Sequence, residues 1–375
     1  MKTKLLSLVV ALTVISVGCA PKEQEESNDA FAVTAANLNA VQAEYVPESI
    51  TDTGASTSSV KTQTNDDICA GLDFIQCQPR LIRAYLLYGK AAVAITHVIV
   101  VGVAHQLRKS PNNSSGVIHV EDQDITVEYN KRSLLDYDFL VIKAGIPVGK
   151  ISASPELYNV QLDLNVLDKD KPDSRGGKID LQVKFTDKQN WQSQITITGQ
   201  KCNEQKPEDP TNGRIAVTRA GELWGAQASF YNAIGMHFSG PKTCQTPATD
   251  ATGMVIYHDV VADRIAAKAS LYIMKRTETS TAQLENFGFP DICTNYADFC
   301  QGLATSLNTT TTQVNTYLQA FENPYCVRRG SPLVVFNSNC QDLSPVVGAT
   351  PFLPNDSWLS ANQFYMLDIT IPTHL

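Results

Sequence analysis

The cysteines are the residues of this chain whose type and spacing carry the clearest chemistry. The sequence has nine, and no two have the Cys-x-x-Cys spacing of zinc and redox sites. Without Cys19 an even number remains, which in an exported chain predicts structural disulfides. Short separations favour Cys69–Cys77 and Cys202–Cys244, with the last four cysteines pairing among themselves. The eight disulfide candidates are Cys69, Cys77, Cys202, Cys244, Cys293, Cys300, Cys326 and Cys340.

Histidines and acidic residues supply the other candidates, and none of them forms a recognisable site. His97 and His105 lie in one apolar run, where a metal site would need further ligands. We expect His97 to be a core residue that burial keeps neutral. Three aspartates share one predicted loop, but lysines lie between them and the spacing of a calcium loop is absent. They are Asp168, Asp170 and Asp173.

Catalytic motifs are also missing. His258 and Asp259 are adjacent, but neighbouring residues of a strand point to opposite faces, so they do not make an acid–base pair. Serine-hydrolase, metalloprotease and phosphate-binding motifs are absent from the sequence. The sequence therefore predicts no catalytic residue, no metal and no cofactor. A hydrolase site assembled from distant residues stays open.

The first residues have the pattern of a targeting segment. Two lysines precede an apolar stretch, residues 5–17, and small residues follow it. Val17-Gly18-Cys19 resembles the lipobox of bacterial lipoproteins, although Ser16 stands where that family usually has an aliphatic residue. The resemblance implies that Cys19 becomes the first residue of the mature chain and carries acyl groups such as palmitate. An ordinary cleaved signal peptide is the alternative.

Localisation and partners follow from the same resemblance. Ala20 after the cysteine is similar to lipoproteins destined for the outer membrane, where the chain would face the periplasm or the cell surface. The membrane is then a partner through the lipid anchor. A net charge of −8 argues against a general nucleic-acid binder, because such a protein needs a basic face to neutralise phosphates.

Residues 19–67 are predicted to be a flexible tether. Residues 20–67 contain nine acidic and two basic side chains, and Ser, Thr, Asn and Ala dominate the rest. Few large apolar groups are present to offset the entropy lost on ordering. The composition also allows a short helix over residues 30–43.

The longest apolar run of the mature chain lies within residues 80–109. Between residues 91 and 104, only Thr96, His97 and Gly102 interrupt it. Many of its residues are β-branched, which favours a strand, but it is too long for one buried strand, so we predict a helix. Because the run is apolar all round, we expect it to be covered on every side. A membrane span is the alternative, against which Lys90 and the histidines argue.

Most of the chain from residue 116 to residue 274 alternates between apolar and polar side chains, most clearly over residues 158–166 and 179–185. Alternation predicts an antiparallel sheet with one buried face, here a meander of about 8–10 strands. A sheet of that size curls. The predicted fold class is therefore α+β, with a large curved antiparallel sheet wrapped around one long apolar helix. The shape is similar to that of periplasmic lipoprotein carriers.

Residues 286–375 are predicted to form a small, disulfide-rich helical cap, with closing strands at residues 332–337 and 364–371. Thr310-x-x-Gln313 has the spacing of a capping box at a helix start. The predicted organisation has four parts. They are a signal peptide (1–18), the lipidated cysteine with its acidic tether (19–67), a helix-and-sheet domain (68–285) and the cap (286–375).

Binding without catalysis is the function that these features favour. The first hypothesis is that an apolar ligand or lipid lies between the sheet and the helix, in a mostly apolar pocket. The alternative is a cell-envelope interaction or adhesion module with a solid core, which uses its loops or its outer sheet face. A connected apolar cavity would favour the first, and a filled core with an exposed patch would favour the second.

Overall fold

The computed structural model describes residues 30–51, 74–107, 114–120, 123–131, 136–167, 176–201, 212–232, 254–276, 284–286, 292–295, 297–306, 310–320, 325–328 and 369–374. Within these ranges the helices are α1 (Ala30–Ala43), α2 (Glu48–Thr51), α3 (Phe74–Leu107), α4 (Leu164–Leu167), α5 (Ile292–Asn295), α6 (Ala297–Ser306) and α7 (Thr311–Ala320). The strands are β1 (Ser114–Val120), β2 (Gln123–Lys131), β3 (Tyr137–Lys143), β4 (Ile146–Ala153), β5 (Leu157–Asp163), β6 (Lys178–Asp187), β7 (Asn190–Thr198), β8 (Asn212–Ala220), β9 (Leu223–Asn232), β10 (Met254–Ala262), β11 (Ala266–Arg276), β12 (Leu284–Asn286) and β13 (Tyr325–Arg328).

The strands form one antiparallel sheet in which neighbours in sequence are neighbours in space, from β1 to β12. β13 leaves this order and pairs with β11. The α+β class and the large antiparallel meander are therefore confirmed. Eleven of the strands have seven or more residues, slightly more than the predicted number.

Strict alternation places one set of side chains in the core. In β5 every second residue is buried, and its partners on β6 are buried as well. We call this side of the sheet the inner face and the opposite side the outer face. The inner positions of this pair are Tyr158, Val160 and Leu162 on β5, facing Val183, Leu181 and Ile179 on β6.

α3 confirms the predicted helix, so length outweighed the β-branched composition. Over residues 82–102 every position is buried or half-buried except Val101, which is 44% exposed. The expectation of cover on every side therefore fails at Val101. The span Ile82–Gly102 is long and apolar enough to cross a membrane, but most of its buried apolar residues belong to the same core cluster as the sheet. These are Ile82, Leu86, Ala92, Val93, Ile99 and Val100.

The predicted tether is wrong over residues 30–51, which belong to the folded core. The short helix over residues 30–43 is confirmed as α1, and Leu38, Val41 and Tyr45 have no exposed surface. Residues 30–43 are rich in alanine and larger apolar residues, which an average over the composition of residues 20–67 hides. The rest of the predicted tether, the signal segment and Cys19 lie outside the described residues.

In the C-terminal part, three of the disulfide candidates in the described residues are disulfide-bonded. Cys293 and Cys300 form a disulfide with a Cα–Cα distance of 5.4 Å, and Cys326 is also disulfide-bonded. The capping box is confirmed, because the Gln313 backbone N–H donates to Thr310 Oγ1 at 3.2 Å and the Thr310 N–H donates to Gln313 Oε1 at 3.3 Å. The predicted closing strands lie outside the described residues, except for residues 369–371, which form no strand.

Candidate functional site

The inner face binds the segment that follows α1. Tyr45 packs its ring against Trp191 with 5.7 Å between centroids, and its hydroxyl lies 3.2 Å from Ser193 Oγ. Burial raises the pKa of Tyr45 above its usual range, with the Ser193 hydrogen bond opposing this, so the phenol stays protonated. Gly89 of α3 lies against the same ring.

Arg219 is the charged centre of this inner contact. Its side chain is 3% exposed, and Nη1 lies 3.0 Å from Glu44 Oε2. Nε donates to the Gly221 carbonyl at 3.1 Å, and Nη1 donates to the Lys188 carbonyl at 3.2 Å. The guanidinium lies 4.6 Å from the centroid of the Trp224 ring. The indole N–H of Trp224 in turn donates to the Glu44 carbonyl at 2.8 Å. Each of these groups is satisfied within the chain, so the cluster holds the α1 segment on the sheet.

The outer face is polar over β5, β6 and β7. Gln182 Nε2 donates to Asn159 Oδ1 at 3.0 Å across neighbouring strands. A shallow surface depression, too small to enclose a water molecule, lies on β6 and β7 between polar side chains. They are Gln182, Lys184, Gln192 and Gln194.

The same face changes character at β8 and β9, where its side chains become buried. Thr218 is 4% exposed and Gln227 is 1% exposed. Within the part of the chain that the structure describes, Thr218 Oγ1, Gln227 Nε2 and Gln227 Oε1 have no hydrogen-bond partner. The register pairs Thr218 with Gly225 and Gln227 with Ala216, so the two polar residues are diagonal neighbours on one face. Thr218 also pairs with Gln192, which connects this buried pair to the open depression.

Ionisable groups on the outer face are poorly solvated. Burial raises the pKa of Asp180, and a hydrogen bond from Gln161 partly opposes that shift. Burial also lowers the pKa of the Arg214 guanidinium. Thr196 of β7 lies between them in the sheet, because it is opposite Asp180 of β6 on one side and opposite Arg214 of β8 on the other. A charge or dipole of a partner would be weakly screened here.

The residues that the sequence suggested as metal or acid–base candidates do not converge where the structure describes them. His97 is half-buried in α3, and burial lowers its pKa, as expected for a neutral imidazole. His258 and Asp259 take successive positions of β10, opposite Ala228 and Gln227 respectively. Within the described ranges, no group of three His, Cys, Asp or Glu side chains could hold a metal ion. His105 lies in α3 with an undescribed side chain, and Asp168, Asp170 and Asp173 lie outside the described residues.

The disulfide candidates are only partly placed. Cys69, Cys202, Cys244 and Cys340 lie outside the described residues, as does the side chain of Cys77. The predicted closures Cys69–Cys77 and Cys202–Cys244 therefore stay predictions. Cys293–Cys300 is a pairing among the last four cysteines, as the sequence suggested.

Sequence reasoning missed Thr218 and Gln227. In β8 the residues from Ile215 to Arg219 are buried in succession, so alternation does not reveal which of them face outward. A signal was present in the run of small and apolar residues, which is typical of a strand covered on both faces.

Comparison of the chain with protein-family models, with curated proteins and with solved structures found no match.

Proposed function

We propose that this protein is a non-enzymatic interaction module of the cell envelope that binds a polypeptide segment of a partner on its outer sheet face. The site consists of the depression and the buried pair beside it. We call it the outer polar site. Its residues are Gln182, Lys184, Gln192, Gln194, Thr218 and Gln227.

The observation that carries the proposal is the Gln227 amide. It is 1% exposed, and neither of its polar atoms has a partner among the residues that the structure describes. A buried polar group without a hydrogen bond destabilises a fold by about 1–3 kcal/mol, and buried polar groups are nearly always paired. A residue kept against that cost fits a role in binding, where stability is given up for function. Because Gln227 is covered in this structure, the proposal includes displacement of the residues over it when the partner binds.

The chemistry of the site favours a peptide over a sugar. A side-chain amide offers donors and an acceptor together, which match the N–H and C=O groups of a peptide main chain. Sugar sites usually add an aromatic surface for stacking, whereas none of the six residues of the outer polar site is aromatic. Four of the six residues of the outer polar site carry amides, so an extended main chain has several places to pair.

The competing proposal, an apolar ligand between sheet and helix, has less support. Val93 of α3 and Leu181 and Ile195 of the sheet have no accessible surface, so they line no space that a water molecule could enter. We also propose that the sheet curves around α3, which the contacts of α3 with β1, β6, β8 and β9 support. Lipid analysis of protein purified gently from membranes separates the two: recovery of a stoichiometric acyl-chain ligand would favour the carrier.

Anchoring at the outer membrane remains part of the proposal, supported by the Val17-Gly18-Cys19 pattern and by the disulfide. Labelled palmitate is expected to enter the full chain and to be absent from Cys19→Ser. If Cys19→Ser is processed and labelled like the unaltered chain, the anchor proposal fails, while the outer polar site is unaffected.

A photo-crosslinking experiment tests the outer polar site. A photoreactive side chain at Lys184 in the full chain, in the native envelope, is expected to form a protein adduct. The control position is Ile146, which is 52% exposed at the start of β4, next to the turn that joins β3 to β4. Adding Gln227→Leu or Thr218→Val is expected to remove the Lys184 adduct. An adduct that survives both substitutions, or one equally strong at Ile146, would overturn the proposal.

A further inference from the structure

The two edges of the sheet differ in how far they are paired with other strands. The β11 edge is covered at both ends, because β13 pairs with residues 266–269 and β12 pairs with residues 274–276. β1 pairs with β2 along all seven of its residues. No strand in the described part of the chain pairs with the other edge of β1.

β1 also lacks the features that keep an edge strand from pairing with another chain. Its sequence, Ser-Ser-Gly-Val-Ile-His-Val, contains no proline, lysine or acidic residue. The register with β2 runs without a bulge. Protected edges usually carry a charge, a proline or a bulge, because these disfavour pairing with a foreign strand.

An exposed apolar side chain is found at this edge, because Val117 in the middle of β1 is 49% exposed. Of the other large exposed apolar residues of the described chain, Val101 lies on α3, and Ile146 and Ile265 lie in or beside hairpin turns. The β1 edge therefore combines free strand positions with apolar surface.

We propose that β1 pairs antiparallel with β1 of a second copy, which joins two sheets across a two-fold axis at Val117. Isologous pairing sets Val117 opposite Val117, Gly116 opposite Ile118, and Ser115 opposite His119. No like charges meet in this register, and small residues face larger ones, so the strand is complementary to itself. One strand pair buries less than a standard interface, so the dimer is weak and forms at high local concentration, as on a membrane.

Cysteine crosslinking of the full chain in its membrane tests the register. Opposed residues of antiparallel strands have Cα atoms about 4.5–5.5 Å apart, within disulfide range. Val117→Cys is expected to form a covalent dimer under mild oxidation, whereas Ile146→Cys is not. Ser115→Cys and His119→Cys are expected to crosslink to each other in a mixture but not to crosslink as single variants. An efficient Ser115→Cys homodimer, or no Val117→Cys dimer above the Ile146→Cys level, would overturn the proposal.

Further measurements test whether something other than a second copy binds at the β1 edge. Val117→Lys places two like charges opposite each other and is expected to weaken self-association in detergent by about tenfold or more. Capture of a different protein by Val117→Cys, without homodimer, would contradict the choice of a second copy. Protection from hydrogen exchange of the β1 amides that point away from β2, if it is the same at every protein concentration, would show that the edge is occupied within one chain. The outer polar site lies on other strands, so neither result affects it.

Discussion

The two faces of β8 bury polar side chains with opposite outcomes. Arg219 on the inner face donates to two backbone carbonyls, pairs with Glu44 and stacks on Trp224. Among the described residues, the side chain of Thr218, one residue earlier on the outer face, has no hydrogen-bond partner, and neither has that of Gln227 beside it. Both sites are almost fully buried. Burial therefore does not distinguish these two sites, whereas hydrogen bonding does. The contrast holds for the two sites and not for the whole faces, because the indole N–H of Trp191, which pairs with Arg219 across β7 and β8, also has no partner among the described residues.

Arg219→Met is the strongest test of this comparison. It removes a charge-assisted network that joins the α1 segment to the sheet, and we expect a loss of about 2–4 kcal/mol in the free energy of unfolding. Urea denaturation measures it. Arg264→Met is the control, because Arg264 pairs with Glu222 and Glu48 while 45% exposed, and exposed pairs contribute about 1 kcal/mol or less. Equal losses for the two variants would show that the inner cluster is not a structural centre.

Gly89→Ala tests the same inner contact from the helix side. A Cβ at this position would lie 2.5 Å from the Tyr45 hydroxyl oxygen. Tyr45 is fully buried and held by Ser193 and Trp191, so its ring has little room to move. We expect a destabilisation of about 1–3 kcal/mol from overpacking, measured by urea denaturation. A variant at least as stable as the parent would mean that the α1 segment is loosely held.

Gln227→Leu, on the outer face, is expected to change the stability in the opposite direction. Removing a buried amide that has no partner should leave stability unchanged or raise it by about 1 kcal/mol. Gln182→Leu is the matched control, because its amide donates to Asn159, and we expect it to lose about 0.5–1.5 kcal/mol. Thermal unfolding of the three proteins gives the order. If Gln227→Leu is the least stable, the amide has a structural partner and the contrast between the two faces disappears.

The inner face was predictable where alternation was intact. β5, β6 and β7 follow period-two patterns, and one such face must be buried for the sheet to be stable. The capping box of Thr310 and Gln313 was equally local, since it depends on residues three apart. Such features need no knowledge of the rest of the chain.

The outer polar site and the α1 contact were not predictable for the opposite reason. Leu38, Val41 and Tyr45 belong to an alanine-rich segment whose apolar residues are not confined to one helical face, and only the presence of an apolar sheet makes their burial favourable. The unpaired state of Gln227 depends on which side chains surround it in three dimensions. β8 and β9 are buried on both faces, so their sequences do not mark an outward side.

Asp180→Asn gives the smallest expected effect and tests solvation of the outer face. Burial raises the folded-state pKa of Asp180 above 3.8, so the folded protein holds this proton more tightly than the unfolded chain. Stability therefore falls as pH rises through the folded pKa, because the unfolded carboxylate is better solvated. The asparagine has no such titration, so the stability of Asp180→Asn relative to the parent should increase from about pH 3 to about pH 7. Urea denaturation at both pH values measures this difference. A decrease would mean that a cation stabilises the carboxylate, and the outer face would then resemble the satisfied inner cluster.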